Sequence, residues 1–329
     1  MAQEIQNQLV DLSDLGMNDS DLFAHVDHNQ LESEKITAPR YSYWRSVFRV
    51  FFKKKINIFA LAVLAVVLLF TYVYPALVTY DPYANLMDSA AKHLTPTKAF
   101  EKFGPSIHWI FGAGAAGQPT FDAVWFGANI SLSLALICGL INMTIGVLLG
   151  AVWGFSKKMD IFMNEVVNII GNIPYTLLIA VLVLVFSPSF WTMVLALTIT
   201  GWLGIAYFFR TQVMIIRDRE YSLASRCLGT PINRVISKNI LPFLTSVIVT
   251  LLATELPSYI SSEVFLSFIG VGLSAEIPSL GRMIQQAQSA FMIYPWEFWP
   301  PVAIASAITV ILYVLGQNLA DASDPRTHM

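Results

Sequence analysis

The sequence predicts an all-α polytopic membrane protein with six transmembrane helices. Three observations carry this: a shortage of charge, long uncharged runs, and a one-sided distribution of cations. Only 13% of the 329 residues are charged and 55% are hydrophobic, against roughly 25% charged in soluble domains. So few ions cannot cover a soluble surface, and most of the chain must meet lipid or other apolar helices. Soluble enzymes and nucleic-acid binders are excluded, since a net charge of -2 supplies no basic field. Two cysteines are too few for a disulfide scaffold.

The first 34 residues hold eight acidic and no basic residues and lack an apolar core. Residues 1–40 therefore read as an acidic, disordered cytosolic tail, with no cleavable signal peptide. Residues 41–55 mix aromatics with Arg and Lys at helical spacing, which suits an interfacial helix in the headgroup layer. The simpler alternative is a basic flank of the first span. Uncharged runs follow at 56–78, 129–155, 166–209, 239–254 and 298–320. A spanning helix needs about 20 apolar residues. The 44-residue run from Val166 to Phe209 thus divides at Ser187-Pro188-Ser189, where proline favours a turn. The run from Asn239 reaches full length only by passing Glu255. The expected spans are 56–78, 129–155, 166–187, 190–209, 243–265 and 300–320.

Cation placement sets the orientation. With a cytosolic N-terminus, 16 of the 20 Lys and Arg lie inside and only Lys92, Lys98, Lys102 and Arg282 outside. Both termini are then cytosolic, and the outer segments are 79–128 and 268–299.

Several chemical signals fall away. Gly112-Ala-Gly114-Ala-Ala-Gly117 matches the dinucleotide pattern but follows no predicted strand and lies on the outer face. No phosphate-cradling G-x-x-x-x-G-K-[ST] occurs, so any ATP must be bound by a partner. His25, His28, His93, His108 and His328 all lie outside the spans, and no H-E-x-x-H exists, which leaves no metal site and no intramembrane metalloprotease. Cys138 and Cys227 read as small packing residues. In the second span Ser131, Ala135 and Gly139, then Gly146, Gly150 and Gly154, recur every four residues. Such a stripe lets helix backbones approach closely in lipid; the neighbour is either in this chain or in another subunit.

Residues 217–242, between the fourth and fifth spans, are the most informative. Glu220 to Leu228 has helix-forming composition, Gly229 can end that helix, and Thr230-Pro231 supplies an N-cap and first-turn proline for a second. Two short helices at a sharp corner, set among the six cations from Arg210 to Lys238, look built to dock on something. Glu220-Tyr221-x-x-Ala224-Ser225-x-x-x-Gly229, followed by Ile240-Leu241-Pro242, resembles the EAA loop of binding-protein-dependent ABC importers, specifically the oligopeptide/dipeptide permease family. Three further stretches agree: Glu263 to Gly272, Pro278-Ser-Leu-Gly281 with Pro295-Trp296, and Gly316 to Arg326 with its Asp-Pro-Arg ending. That ending is typical of the C-type permease subunit.

The sequence also departs from the pattern. Gly112 to Pro119 lacks the charged residues usual in the outer motif, Leu223 and Ser225 replace the usual Glu and Ala, and Gln317 and Ala320 replace charged members of the ending. Ser for Ala keeps the small volume that docking requires.

The resemblance implies a type I ABC importer permease fold in a bacterial plasma membrane. It implies a homologous permease as partner, two cytosolic ABC ATPases that bind ATP and magnesium, an extracellular substrate-binding protein, and a peptide cargo. This chain would hold no cofactor and catalyse nothing. Its Glu220, Tyr221, Ala224, Ser225, Gly229, Ile240, Leu241 and Pro242 would couple to the ATPases. Polar residues within spans, Asn168, Asn172, Thr254, Glu255 and Glu263, are candidates for the translocation pathway, since an ionisable group in a span faces a wet cavity or the bundle interior. A structural carboxylate is the competing reading of Glu255. The same family carries other solutes such as nickel. An ion-coupled secondary transporter is a further alternative, but no inverted repeat is visible and the ordered loop would go unexplained.

Overall fold

The structure is a computed structural model that describes residues 43–83, 85–274 and 276–323. The acidic tail and the Asp324-Pro325-Arg326 ending lie outside the described residues. From Trp44 onward the chain forms one unit.

A short amphipathic helix, α1 (Tyr43–Lys53), buries Val47 and Phe51 and exposes Phe48 and Phe52, whose rings continue a ladder from the half-buried Trp44 about one turn apart. The chain kinks at Lys54 into α2 (Lys55–Leu77). Leu69–Val73 is a π-turn within α2, and the carbonyl of its Thr71 accepts a 2.9 Å hydrogen bond from the Asn129 amide. A π-bulge frees a backbone carbonyl, and in an apolar setting something must pair it. Lys54 reaches Asn318 at 2.8 Å and Asp321 at 3.2 Å, tying the foot of α2 to the far end of the chain.

The segment after α2 carries α3 (Pro96–Phe103), capped by Thr95. It returns through the glycine loop, where Gly112 and Gly117 adopt φ of +75° and +74°. A Cβ on Gly117 would sit 2.9 Å from Asn85 Cβ, so the loop is a tight packed turn. Its one β feature is an isolated bridge between Ala113 and Pro119, and no βαβ unit surrounds it.

The central element is α4 (Thr120–Phe155), 36 residues long. It begins well before residue 129, so the segment expected to be extracellular to 128 already contains its first two turns. Next come α5 (Lys157–Gly171) and α6 (Tyr175–Phe186), bent by 77° across Asn172-Ile173-Pro174. The expected continuous span 166–187 is therefore corrected to a broken pair. Pro174 cannot donate to the helix, and the 12 residues of α6 reach only about 18 Å. Helices α7 (Phe190–Thr198) and α8 (Trp202–Arg217) form one 28-residue span, longer than the expected 190–209 and interrupted at Ile199–Gly201. The Leu197 carbonyl near that break is paired by Asn142 of α4 at 3.2 Å.

Two short helices, α9 (Glu220–Cys227) and α10 (Ile232–Val235), lead to α11 (Thr245–Phe268). Then come α12 (Leu280–Ala287), capped by Ser279, and α13 (Pro295–Ser323). Among the described residues four helices are long and apolar enough to cross a membrane, and the bent α5–α6 pair reaches that length and hydropathy only when its two halves are taken together. The 24-residue α11 has the length for a sixth, diluted by Thr, Ser, Glu255 and Glu263.

The small-residue stripe of α4 packs inside this chain. A Cβ on Gly146 would meet Ile205 Cγ2 at 2.6 Å, one on Gly150 the Ala206 carbonyl at 2.6 Å, and one on Gly154 the Arg210 carbonyl at 2.6 Å. The neighbour left open by the sequence is thus α8 for Gly146, Gly150 and Gly154, while a Cβ on Gly139 would meet Leu256 of α11 at 3.0 Å. Gly150→Val is expected to destabilise the folded chain by about 2 kcal/mol through overpacking against backbone. Gly204→Ala, where a Cβ meets nothing within 4 Å, should be neutral or slightly stabilising. Thermal unfolding of the two purified variants checks the contrast, and equal midpoints would contradict the seam.

Candidate functional site

The loop between α8 and α11 is fastened at its entry. The Arg217 guanidinium donates to the Asp218 carboxylate at 2.9 and 3.1 Å and holds that carboxyl below the usual carboxylate range. Its other nitrogen donates at 2.9 Å to the Gly154 carbonyl, among the last-turn carbonyls that α4 cannot pair itself. Arg226 lies over the Phe155 ring at 5.4 Å, so α9 also rests on the end of α4.

Helix α9 ends in a Schellman turn. Gly229 N–H bonds the Arg226 carbonyl at 3.0 Å, Thr230 N–H bonds the Ser225 carbonyl at 3.1 Å, and Gly229 has φ of +76°. Glycine suits that left-handed position. The expected Thr230 cap is corrected: Thr230 is used up in the turn, and Pro231 stands at the N-cap of α10 without a side-chain bond.

Within α9 only Ser222 is buried. Glu220, Tyr221, Leu223, Ala224, Arg226 and Cys227 are exposed, and Leu228 beyond them is 86% exposed. Tyr221 stacks on Phe243 at 5.5 Å, and the half-buried Ser225 hydroxyl donates to the Tyr221 carbonyl at 3.0 Å. The second half of the loop behaves oppositely. Val235, Ile236, Ile240 and Leu244 are buried against Met143, Val147 and Phe155 of α4 and Ile205, Phe209 and Val213 of α8. Ile240 is wholly buried, Leu241 half-buried and Pro242 exposed. Ile240 and Leu241, expected among the residues that couple to the ATPases, pack in this chain against α4 and α8 as anchors of the loop.

A polar cluster that the sequence reading did not single out braces the same end. Asp160 of α5 is paired with Arg210 of α8, whose second contact is 2.9 Å, and accepts from the Trp153 indole of α4 at 2.7 Å. Arg210 also covers the Trp153 and Tyr207 rings. The available signal was an acid and an arginine at the margins of otherwise uncharged runs.

The intramembrane candidates separate. Glu263 is fully buried. Ser131 of α4 donates to its carboxyl at 2.7 Å and Ser267 at 2.9 Å, while Ser131 accepts the Leu280 N–H of α12 at 3.2 Å. Its placement in the pathway is corrected, since no surface of this side chain reaches a cavity. Thr254 and Glu255 are half-buried, and Ser258, Ser261 and Phe265 are exposed at the one-turn spacing that makes a single face of α11. That face continues into a cavity lined by Tyr175 and Thr176 of α6 with Ser261 and Ser262. Asn168 and Asn172 stand exposed on the α5–α6 elbow, where the Asn172 amide donates to the Asn168 backbone carbonyl, and do not line this cavity. The missed hydroxyls were legible as Ser258, Ser261 and Ser262 at helical spacing. Among the described residues no group of three or more His, Cys, Asp or Glu is placed to hold a metal ion.

Comparison with known proteins gives two family matches: the binding-protein-dependent transport system inner membrane component over residues 142–329, and the N-terminal membrane domain of oligopeptide transport permease C over 42–96. The chain is 42% identical to the oligopeptide transport system permease protein AmiD of Streptococcus pneumoniae, over 94% of this chain and 98% of that protein. It is 31% identical to the dipeptide permease protein DppC of Bacillus subtilis, over 90% and 89%. It is 30% identical to the oligopeptide permease protein OppC of the same organism, over 93% and 97%.

The Glu263 arrangement predicts a split between two variants. Glu263→Gln retains volume and hydrogen bonding and is expected to leave transport KM unchanged, whereas Glu263→Ala leaves buried serines unpaired and a void, costing about 3 kcal/mol. Thermal unfolding alongside uptake kinetics reads both. A changed KM in Glu263→Gln would return this residue to the pathway.

Proposed function

The chain belongs to the family of binding-protein-dependent transport system inner membrane components, and from that premise we infer that it is a membrane permease subunit of an ABC importer for oligopeptides or dipeptides. The relatives are named for oligopeptides and dipeptides, which favours peptide over nickel as cargo. In this reading the chain pairs with a homologous permease to enclose the pathway, receives cargo from an extracellular binding protein, and contacts two cytosolic ATPases that bind ATP and magnesium. The cation distribution supports six spans with both termini cytosolic in a bacterial plasma membrane.

One observation carries the mechanism: α9 is an exposed helix whose two ends are fixed to the membrane bundle. Its outward residues Glu220, Tyr221, Leu223 and Ala224 present a small surface for an ATPase groove. Behind them, Arg217 on the Gly154 carbonyl and Arg226 on Phe155 couple any displacement of α9 to α4. The Asp160–Arg210 pair extends the linkage to α5. A helix held this way transmits force, where a free loop would absorb it. Closure of the ATPases would then tilt α4, α5 and α8 together and move the hydroxyl-lined face of α11 and α6 between outward and inward access. Thr254, Glu255, Ser258, Ser261 and Tyr175 form this chain's wall of the pathway. Their few charges suit peptides, which have no common charge pattern.

The test separates docking from folding. A Cβ on Gly229 meets nothing within 4 Å, and Asn and Asp tolerate its left-handed backbone. Gly229→Asp and Ala224→Trp are therefore expected to insert and fold, yet to abolish ATP-dependent peptide uptake by the reconstituted importer, by at least about 100-fold. Full uptake by either variant would end the coupling assignment.

A further inference from the structure

A cavity of about 320 Å³ lies between the segment after α2 and helix α12, away from both the loop and the hydroxyl-lined face. Such a volume is at the lower end for small-molecule sites. Its walls include Tyr80, Tyr83, Gln118, Gln286, Glu276 and Arg282. Two opposite charges there are unspent. The Nε of Arg282 is buried without a hydrogen-bond partner, and among the described residues its guanidinium makes no ion pair. Glu276 is exposed, and among the described residues its carboxylate has no partner either. The third charge, Glu297, is already committed to His93 at 2.6 Å. A buried guanidinium N–H without an acceptor is costly, and the group that best satisfies the Arg fork is a carboxylate.

The cavity is also rigidly mounted beside the pathway helix. Next to Arg282, Gly281 packs so closely on α11 that a Cβ would sit 2.6 Å from Val264 Cα. Leu280 N–H is bonded to Ser131 of the Glu263 cluster.

We propose that this cavity is a binding subsite for a short peptide with free ends, its terminal carboxylate on Arg282 and its ammonium on Glu276. The site rests on the peptide-import reading and adds a point where the permease itself recognises cargo. It requires both unpaired charges: Arg282 alone would accept any carboxylate, and Glu276 alone any cation. Tyr80, Tyr83, Gln118 and Gln286 between them offer hydrogen bonds to a peptide backbone without selecting side chains.

The experiment measures binding of the dipeptide alanyl-phenylalanine, its C-terminal amide and its N-acetyl form to the purified permease–ATPase complex in nanodiscs, without the binding protein. The wild-type complex is expected to bind the free dipeptide at least about 10-fold more tightly than either blocked form, as loss of a charge-assisted pair dictates. Arg282→Gln should remove the penalty for amidation and keep that for acetylation, with Arg282→Lys intermediate. Glu276→Gln, at an exposed position where folding is not at stake, should do the reverse. No binding by the wild-type complex, or variants that weaken all three peptides equally, overturns the subsite. ATP-dependent uptake by the same complex with its binding protein tests the import function separately: uptake with no subsite leaves that function standing, while no uptake of any peptide overturns both.

Discussion

The close approach of α4 to α8 is the contact on which the rest depends. Gly146, Gly150 and Gly154 clear side chains from one stretch of α4, and Ile205, Ala206 and the backbone of α8 fill that space. In lipid the hydrophobic effect gives no preference for helix against helix, so packing at this distance must supply the association. The consequence reaches the loop. Because the two helices touch along their lower halves, Arg217 at the end of α8 reaches the Gly154 carbonyl and Arg226 reaches Phe155. A bulkier seam would separate these ends and leave α9 without its foundation.

Polar groups inside the bundle serve as joints. Asn142 pairs the carbonyl near the α7–α8 break and also donates to Tyr259 of α11 at 2.9 Å. Asn129 pairs the carbonyl at the π-turn of α2. Glu263 ties α11 to α4 and, through Ser131, to α12. Each lies at an irregular stretch or a three-way crossing, where apolar contacts alone would leave backbone groups unpaired at large cost. The end of the bundle away from the loop is thus braced by the Glu263 cluster and the loop end by Asp160–Arg210, with the hydroxyl-lined face of α11 between them.

Much of the loop was legible in the sequence because its signals are local. Gly229 after a run of helix formers announces a left-handed cap, and the turn forms there. Thr230 misled because a Schellman turn and an N-cap compete for the same residue, and the turn won. Ile240 and Leu241 read as part of a motif, yet whether a residue in a motif faces outward depends on helices far away in the chain. Glu263 misled for the same reason: an acid in an apolar run signals either a wet pathway or a buried joint, and only the positions of Ser131 and Ser267 distinguish them.

By itself the sequence determined that the chain is a helical membrane protein, where its apolar segments lie, and which loop is ordered, because hydropathy and capping act over neighbouring residues. The tertiary structure decided that Gly146, Gly150 and Gly154 serve α8 while Gly139 and Ser131 face α11, that 166–187 is a bent pair, and that Glu263 is a joint while Ser261 and Ser262 line a cavity. Those outcomes hinge on which helix faces meet, and in a chain this uniformly apolar, hydropathy alone does not distinguish one face from another.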